Sequence, residues 1–163
     1  MQVIVMGVSG AGKSYLAERL VKATGWEFAE GDDFHSAENK ARMAAGIAMT
    51  DVERRPWLDA LHVVLREWEQ NGVNGVMTCS ALKTAYRERL REGLPELKFV
   101  WMDLPRELIA ERLAARKGHY MPAGLLDSQI AALEPPAEGE HVLRLDGSQS
   151  ADDEVRQVLE WLR

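Results

Sequence analysis

The chain has 163 residues, of which 46% are hydrophobic and 28% are charged, and its formal net charge is −6. This size and composition predict one globular domain with a substantial buried core. The acidic balance argues against a nucleic-acid partner, and a single cysteine excludes an internal disulfide and favours a reducing compartment.

Strands and helices are predicted in alternation along the whole chain. The first apolar run, at 3–6, predicts a buried strand but is too short for a signal peptide or a membrane span, so we expect a cytoplasmic protein without membrane contact. Further strands are predicted at 27–30, 75–79, 97–102 and 141–145. Helices are predicted at 13–24, 37–45, from Pro56 to about 70, 84–91, 105–116, up to 133 and after Ser150.

Five strands separated by helices indicate an α/β fold with a parallel sheet covered on both faces. Ligands of such sheets bind at the carboxyl ends of the strands. The residues that follow each predicted strand are therefore the candidates for a functional site.

The first of these stretches, MGVSGAGKS at 6–14, has the P-loop spacing G-x-x-x-x-G-K-[ST] between a predicted strand and a predicted helix. Glycines allow backbone N–H groups to surround an anion, and the start of the helix adds a positive dipole. Lys13 is expected to reach the β- and γ-phosphates of a nucleotide, and the Ser14 hydroxyl to bind Mg²⁺. The expected phosphate-binding residues are Gly7, Ser9, Gly10, Ala11, Gly12, Lys13 and Ser14.

The second predicted strand is followed by three carboxylates and an imidazole, in the stretch EGDDFH at 30–35. Phosphoryl transfer needs one carboxylate near the attacking hydroxyl and another near Mg²⁺ or its waters. Asp32 fits the first role and Glu30 the second, because residues two apart share one side of an extended chain. The alternative is that Asp32 and Asp33 only initiate a turn.

An anionic substrate would need a guanidinium or an ammonium group in its pocket. The chain offers several basic residues after the second strand, and residue chemistry alone does not choose among them. They are Lys40, Arg42, Arg54, Arg55, Lys83 and Arg87.

Taken together, five blocks resemble the thermoresistant gluconokinase family of small P-loop sugar-acid kinases. In chain order they are GVSGAGKS, GDDFH…NKARMAAG, DVERRPWL, CSALKTAYRERLR and ERLAARKGHYMP, and they span about residues 3–122. The resemblance implies a fold like that of nucleoside monophosphate kinases and the ATP-dependent phosphorylation of D-gluconate to 6-phosphogluconate. It also implies a homodimer. The domain would then run over 1–163, with substrate-binding helices at about 37–70 and a lid at about 117–124.

The same resemblance implies roles for single residues. Substrate contacts fall on Asp32, His35, Arg54, Lys83, Arg87 and His119, with Asp32 catalytic. Arg112 and Arg116 would close over ATP. Because Arg116 stands before a break that contains Gly118, we also expect it to stabilise charge on the transferring phosphoryl group. The chain departs from the family in having Glu30 where aspartate is frequent, which leaves the link of Glu30 to Mg²⁺ open, and in having Ser36 where proline is usual.

Three other readings compete with this one. Shikimate kinases share the P-loop but have a glycine triplet where this chain has Cys79-Ser80-Ala81. Nucleoside monophosphate kinases do not typically have the block that this chain has at 54–58. A nucleotide-binding switch without activity would be expected to lack Lys13, Ser14 or Asp32, all of which are present.

Overall fold

The structure is a computed structural model that describes residues 1–115 and 123–163. Its strands are β1 (Gln2–Met6), β2 (Glu27–Glu30), β3 (Gly75–Thr78), β4 (Lys98–Met102) and β5 (Val142–Leu145). All four neighbouring pairs are parallel, in the spatial order β2-β3-β1-β4-β5. The predicted parallel α/β sheet is confirmed.

Helices follow the strands as the hydrophobic pattern predicts. They are α1 (Lys13–Thr24), α2 (Ala37–Ala44), α3 (Asp51–Gln70), α4 (Thr84–Arg91), α5 (Arg106–Ala115), α6 (Ala123–Ala132) and α7 (Ala151–Trp161). Single 3₁₀ turns lie at Gly31–Phe34 and Glu138–Glu140.

The prediction that α3 starts at Pro56 is wrong, because the helix begins at Asp51 with Pro56 inside it. Thr50 caps this helix: its hydroxyl accepts the backbone N–H of Glu53 at 3.2 Å and donates to the Glu53 carboxylate at 3.0 Å. Pro56 removes one helical hydrogen bond without ending the helix. The cap signal Thr-x-x-Glu was therefore stronger than the proline signal.

Side chains alternate between the two faces of the sheet along β1. Val3 and Val5 join a core with α1, α5, α6 and α7, whereas Ile4 and Met6 join a second core with α3 and α4. Both cores are closed to solvent, so β1 is fixed from both sides. The loop after β1, between the ends of β3 and β4, is thereby held at the carboxyl edge where ligands bind in this architecture.

Candidate active site

The P-loop lies between β1 and α1. Gly12 has φ 92°, a left-handed conformation that lets α1 begin directly at Lys13. The loop is anchored to the neighbouring strand end, since the N–H of Gly7 donates to the Ser80 carbonyl at 3.2 Å. Lys13 Nζ donates to the Gly7 and Val8 carbonyls at 2.9 and 3.0 Å, so the ammonium group is already held over the loop.

A chain of polar contacts links the start of α1 to the ends of β2 and β3. The Ser14 hydroxyl donates to Glu30 Oε2 at 2.8 Å, and the Thr78 hydroxyl donates to Glu30 Oε1 at 2.5 Å. Thr78 Oγ1 in turn accepts the N–H of Gly31 at 3.1 Å. Glu30 is thus fixed beside Ser14, and both residues line the cavity at the P-loop.

Gly31 has no space for a side chain. A Cβ built on it would lie 2.0 Å from the carbonyl oxygen of Thr78, which is backbone and cannot move aside. The Gly31 carbonyl accepts the indole N–H of Trp57 at 2.8 Å. This close packing sets the position from which Asp32 projects.

His35 follows the 3₁₀ turn and is buried against α3. Its ring stacks on Trp57 with 4.2 Å between centroids and 14° between planes, and its Nδ1 is buried without a hydrogen-bond partner among the described residues. Burial lowers the pKa of His35, the Asp32 carboxylate opposes that shift, and Arg54 and Lys40 add to it. The lowered pKa favours the neutral form of the His35 imidazole at pH 7.

Among the described residues, two cavities meet at the P-loop. The P-loop cavity, of about 90 Å³, is lined by Ser9, Gly10, Gly12, Lys13, Ser14, Glu30 and Asp32. The central pocket, of about 30 Å³, is lined by Ser9, Lys13, Asp32, His35, Met43, Ile47, Met49, Arg54, Trp57, Ser80, Leu125 and Gln129. Ser9, Lys13 and Asp32 belong to both, so a group bound in one cavity adjoins a group bound in the other.

Of the basic residues predicted for the substrate, Arg54 lines the central pocket, and its Nη1 also donates to the Tyr86 hydroxyl at 3.3 Å. Lys83 lies outside that lining and pairs with Asp51 at 3.1 Å. The Asp51 carboxylate also accepts the Tyr86 hydroxyl, and these two bonds lower the pKa of Asp51.

The structure does not bring Arg87 into the pocket. Its side chain is 0% exposed, and its guanidinium donates to the Glu140 carboxylate at 2.8 Å, to the Ala81 and Glu134 carbonyls at 2.8 and 2.9 Å, and to Thr84. Every face of the guanidinium is used by the protein itself. A buried cation needs such partners, and here they belong to the scaffold.

The residues predicted to close over ATP are only partly described. The Arg112 guanidinium lies against the P-loop, with Nη1 3.4 Å from the position that a Cβ on Gly12 would take. Arg116, His119 and most of the predicted lid at about 117–124 fall outside the described residues.

Sequence reasoning missed several residues of the central pocket. Gln129 contacts Ser9 from α6, and Met43, Ile47 and Met49 supply an apolar wall. Neither group carries a local signal, because each reaches the pocket only through tertiary packing. Ser36 was noticed only as a departure from proline, yet its hydroxyl caps α2 by accepting the N–H of Asn39 at 3.1 Å.

Comparisons with known proteins agree with this geometry. A family model described as an AAA domain matches residues 3–136. A gluconokinase of Gluconobacter oxydans is 43% identical over 157 residues, which is 96% of this chain and 88% of that protein. The chain belongs to the gluconokinase family. The predicted resemblance is confirmed by the thermoresistant gluconokinase of Escherichia coli, which is 36% identical over 98% of this chain and 92% of its own length.

The fold of this gluconokinase-family chain also agrees with that of a solved structure. A sugar kinase from Janibacter has a TM-score of 0.93 and 46% identity over 99% of this chain and 93% of its own. Within the described ranges no helix is long and apolar enough to cross a membrane.

Proposed function

We propose that this chain transfers the terminal phosphoryl group of ATP to a hydroxyl of D-gluconate, forming 6-phospho-D-gluconate. The observation that carries the proposal is the shared lining of the two cavities by Ser9, Lys13 and Asp32. A phosphate held in the P-loop cavity would then lie next to a hydroxyl held in the central pocket, the arrangement that direct transfer requires. Gluconokinases at 36–43% identity support the same reaction.

The phosphate side fits a nucleotide. Left-handed Gly12 leaves the amides at the start of α1 open to an anion, and Lys13 already lies over the loop. Arg112 lies near enough to Gly12 to add a second positive charge. We assign phosphate binding to the predicted residues Gly7, Ser9, Gly10, Ala11, Gly12, Lys13, Ser14 and Arg112, and keep Arg116 as a proposed stabiliser of the transferring group.

We assign Mg²⁺ to the neighbourhood of Ser14 and Glu30. The two side chains are 2.8 Å apart through oxygen atoms, the donor type that Mg²⁺ prefers, and the ion usually keeps most of its other ligands as waters and phosphates. The described residues contain no group of three or more histidine, cysteine or carboxylate side chains that could hold a metal. When bound, the ion would offset charge on the phosphates.

The acceptor side suits a polyhydroxy acid. We assign Asp32, which lines both cavities, to accept the proton of the attacking hydroxyl. We also assign a substrate contact to His35, which lines the central pocket and whose buried Nδ1 has no partner among the described residues. Arg54 is the one basic side chain besides Lys13 in the described lining, so we assign the substrate carboxylate to Arg54. Lys83 and His119 remain proposed substrate contacts, whereas the buried network of Arg87 supports a structural role.

The central pocket is narrow in this structure, with about 30 Å³ of room, and we propose that it widens when a sugar acid enters. We propose that α2 and the turn after it move, within the substrate-binding region at about 37–70. No side chain of α2 is buried, so displacing this helix exposes little apolar surface.

The deciding experiment compares Asp32→Asn with its neighbour Asp33→Asn. Asp33 is another exposed carboxylate of the same turn, and it lines neither cavity. Loss of a general base should lower kcat for gluconate by about 10²–10⁴-fold in Asp32→Asn, with little change in Asp33→Asn. Binding of a fluorescent ATP analogue should change little in either variant.

Full turnover of Asp32→Asn, or a loss of nucleotide binding as large as the loss of rate, would contradict the assignment. Wild-type enzyme assayed against a panel of sugar acids and shikimate tests the substrate itself. Two further proposals concern assembly and location. A homodimer is implied by the family resemblance, and light scattering tests it. A cytoplasmic location is favoured by the single cysteine, and cell fractionation tests it.

A further inference from the structure

Gln129 connects α6 to the P-loop across 120 positions of sequence. Its Oε1 accepts the N–H of Ser9 at 2.7 Å, and its Nε2 donates to the Ser9 hydroxyl at 3.1 Å. The side chain is only 9% exposed. Because a backbone N–H is always a donor, the amide oxygen must face it, and only a carboxamide of this length makes both bonds at once.

The partner of Gln129 stands at the boundary of the two cavities. Ser9 lines both of them, and Gln129 itself lines the central pocket. The Gln129–Ser9 contact therefore forms part of the wall beside the position assigned to the transferring phosphate. Leu125, one helical turn earlier on α6, lines the same pocket and is buried, so α6 is held close to this wall.

Water is the competitor that this wall must exclude. If a water oxygen bonds to the γ-phosphorus, the bond from that phosphorus to the β–γ bridging oxygen breaks, giving ADP, inorganic phosphate and a proton. The central pocket is wide enough for water as it stands, and truncation of Gln129 would enlarge it directly beside Ser9 and Lys13. Such an opening favours hydrolysis over transfer to the acceptor.

We propose, resting on the proposed function, that Gln129 is a positioning residue. It holds Ser9 and closes the wall of the central pocket beside Ser9 to water. The experiment measures two rates for each purified protein: gluconate phosphorylation, and ATP hydrolysis without acceptor. In Gln129→Ala the ratio of hydrolysis to phosphorylation should rise about tenfold, the scale of one or two lost neutral hydrogen bonds. In the double variant Ser9→Ala, Gln129→Ala, this ratio should rise by less than the product of the two factors measured for the single variants. The reason is that the two side chains act together.

The matched control is Ser128→Ala, one position earlier on α6 and outside the lining of both cavities, which should leave the ratio unchanged. Gln129→Glu keeps the size of the side chain and an acceptor for the Ser9 N–H, but it loses the donor and adds negative charge beside the phosphates. The added charge should raise the KM for ATP at least threefold. Because the bond to the Ser9 hydroxyl is lost, the ratio of hydrolysis to phosphorylation should rise as well, whereas a role in packing alone would leave that ratio at the wild-type value.

A fall of both rates by one common factor in Gln129→Ala, or wild-type behaviour of Gln129→Glu, would overturn the inference. If Gln129→Ala does not fold, the Gln129→Glu measurement decides alone. Failure of the proposed function is recognised separately, as absence of gluconate phosphorylation by the wild-type chain. The ratio is then measured with whichever sugar acid of the panel the wild type phosphorylates.

Discussion

Gly31 shows how one missing side chain sets the geometry of the candidate site. The two carboxylates with proposed roles, Glu30 and Asp32, flank it, and its backbone lies against β3 at the Thr78 carbonyl. Any side chain at this position would separate β2 from β3 at the edge where the ligands are proposed to bind. The spacing of the two acids in this chain therefore depends on the glycine between them.

We expect Gly31→Ala to lower the free energy of unfolding by about 1–3 kcal/mol, the usual cost of overpacking, and to reduce kcat as Asp32 shifts. Urea denaturation and steady-state kinetics measure the two effects. Gly124→Ala is the control, because a Cβ there meets nothing within 4 Å and an alanine suits the start of α6. Equal stability of the two variants would show that β2 and β3 separate without cost.

His35 should make stability depend on pH. Burial and the cations Arg54 and Lys40 lower its pKa in the folded state, against the opposing Asp32 carboxylate, whereas the unfolded value stays near 6.5. Between the two pKa values the unfolded chain binds the extra proton, so the free energy of unfolding falls as the pH drops from about 6.5 toward the folded pKa.

His35→Gln should remove that part of the pH dependence. Urea unfolding at a series of pH values between about 7.5 and 5 measures it, and the exposed His141→Gln serves as the control that keeps the wild-type slope. The same slope in His35→Gln and wild type would mean that the imidazole is not held neutral.

At the scale of elements, Arg87 joins α4 to the segment between α6 and β5. Its guanidinium bridges Glu134 and Glu140 to the turn before α4, and Arg91 adds a second bond to the Glu140 carbonyl at 2.7 Å. Burial alone would raise the pKa of Glu140, but the bonds from Arg87 and from the Ala137 N–H lower it. The network is a buried ion pair with its hydrogen bonds satisfied.

We expect Arg87→Leu to lower the free energy of unfolding by about 3–5 kcal/mol, because it leaves a half-buried carboxylate and two carbonyls without their donor. The KM for gluconate of the folded fraction should stay within about twofold of wild type. Arg89→Leu on the same helix breaks exposed ion pairs and should cost at most about 1 kcal/mol. A raised KM with unchanged stability would instead return Arg87 to the substrate pocket.

Across the whole molecule, the sequence predicts best what is encoded locally. The P-loop glycines and the 12 residues of α1 follow one another directly in the sequence. Their signals are therefore local, and α1 has the predicted bounds. The start of α3 was misplaced because the signals of Thr50 and Pro56 conflict and the cap prevails. The contact of Ser9 with Gln129 could not be predicted from the sequence. It depends on how α6 packs against the P-loop, and the residues next to Ser9 or next to Gln129 carry no signal for it.

The same limit explains the basic residues. Arg54, Lys83 and Arg87 look alike in the sequence, and only burial separates them: one lines the central pocket, one pairs with Asp51 and one is enclosed by backbone carbonyls. Charge is visible in a sequence, but the surroundings that decide its use are set by the tertiary structure.

The lone cysteine has a practical consequence. Cys79 is buried at the end of β3, and burial raises the pKa of its thiol to about 12, so almost none of it is thiolate at neutral pH. Maleimide dyes and nitroxide labels should therefore leave the native chain unmodified. A cysteine introduced at an exposed position such as Ala44 would then be labelled alone, which makes the movement of α2 measurable by fluorescence or paramagnetic probes without first removing a native thiol.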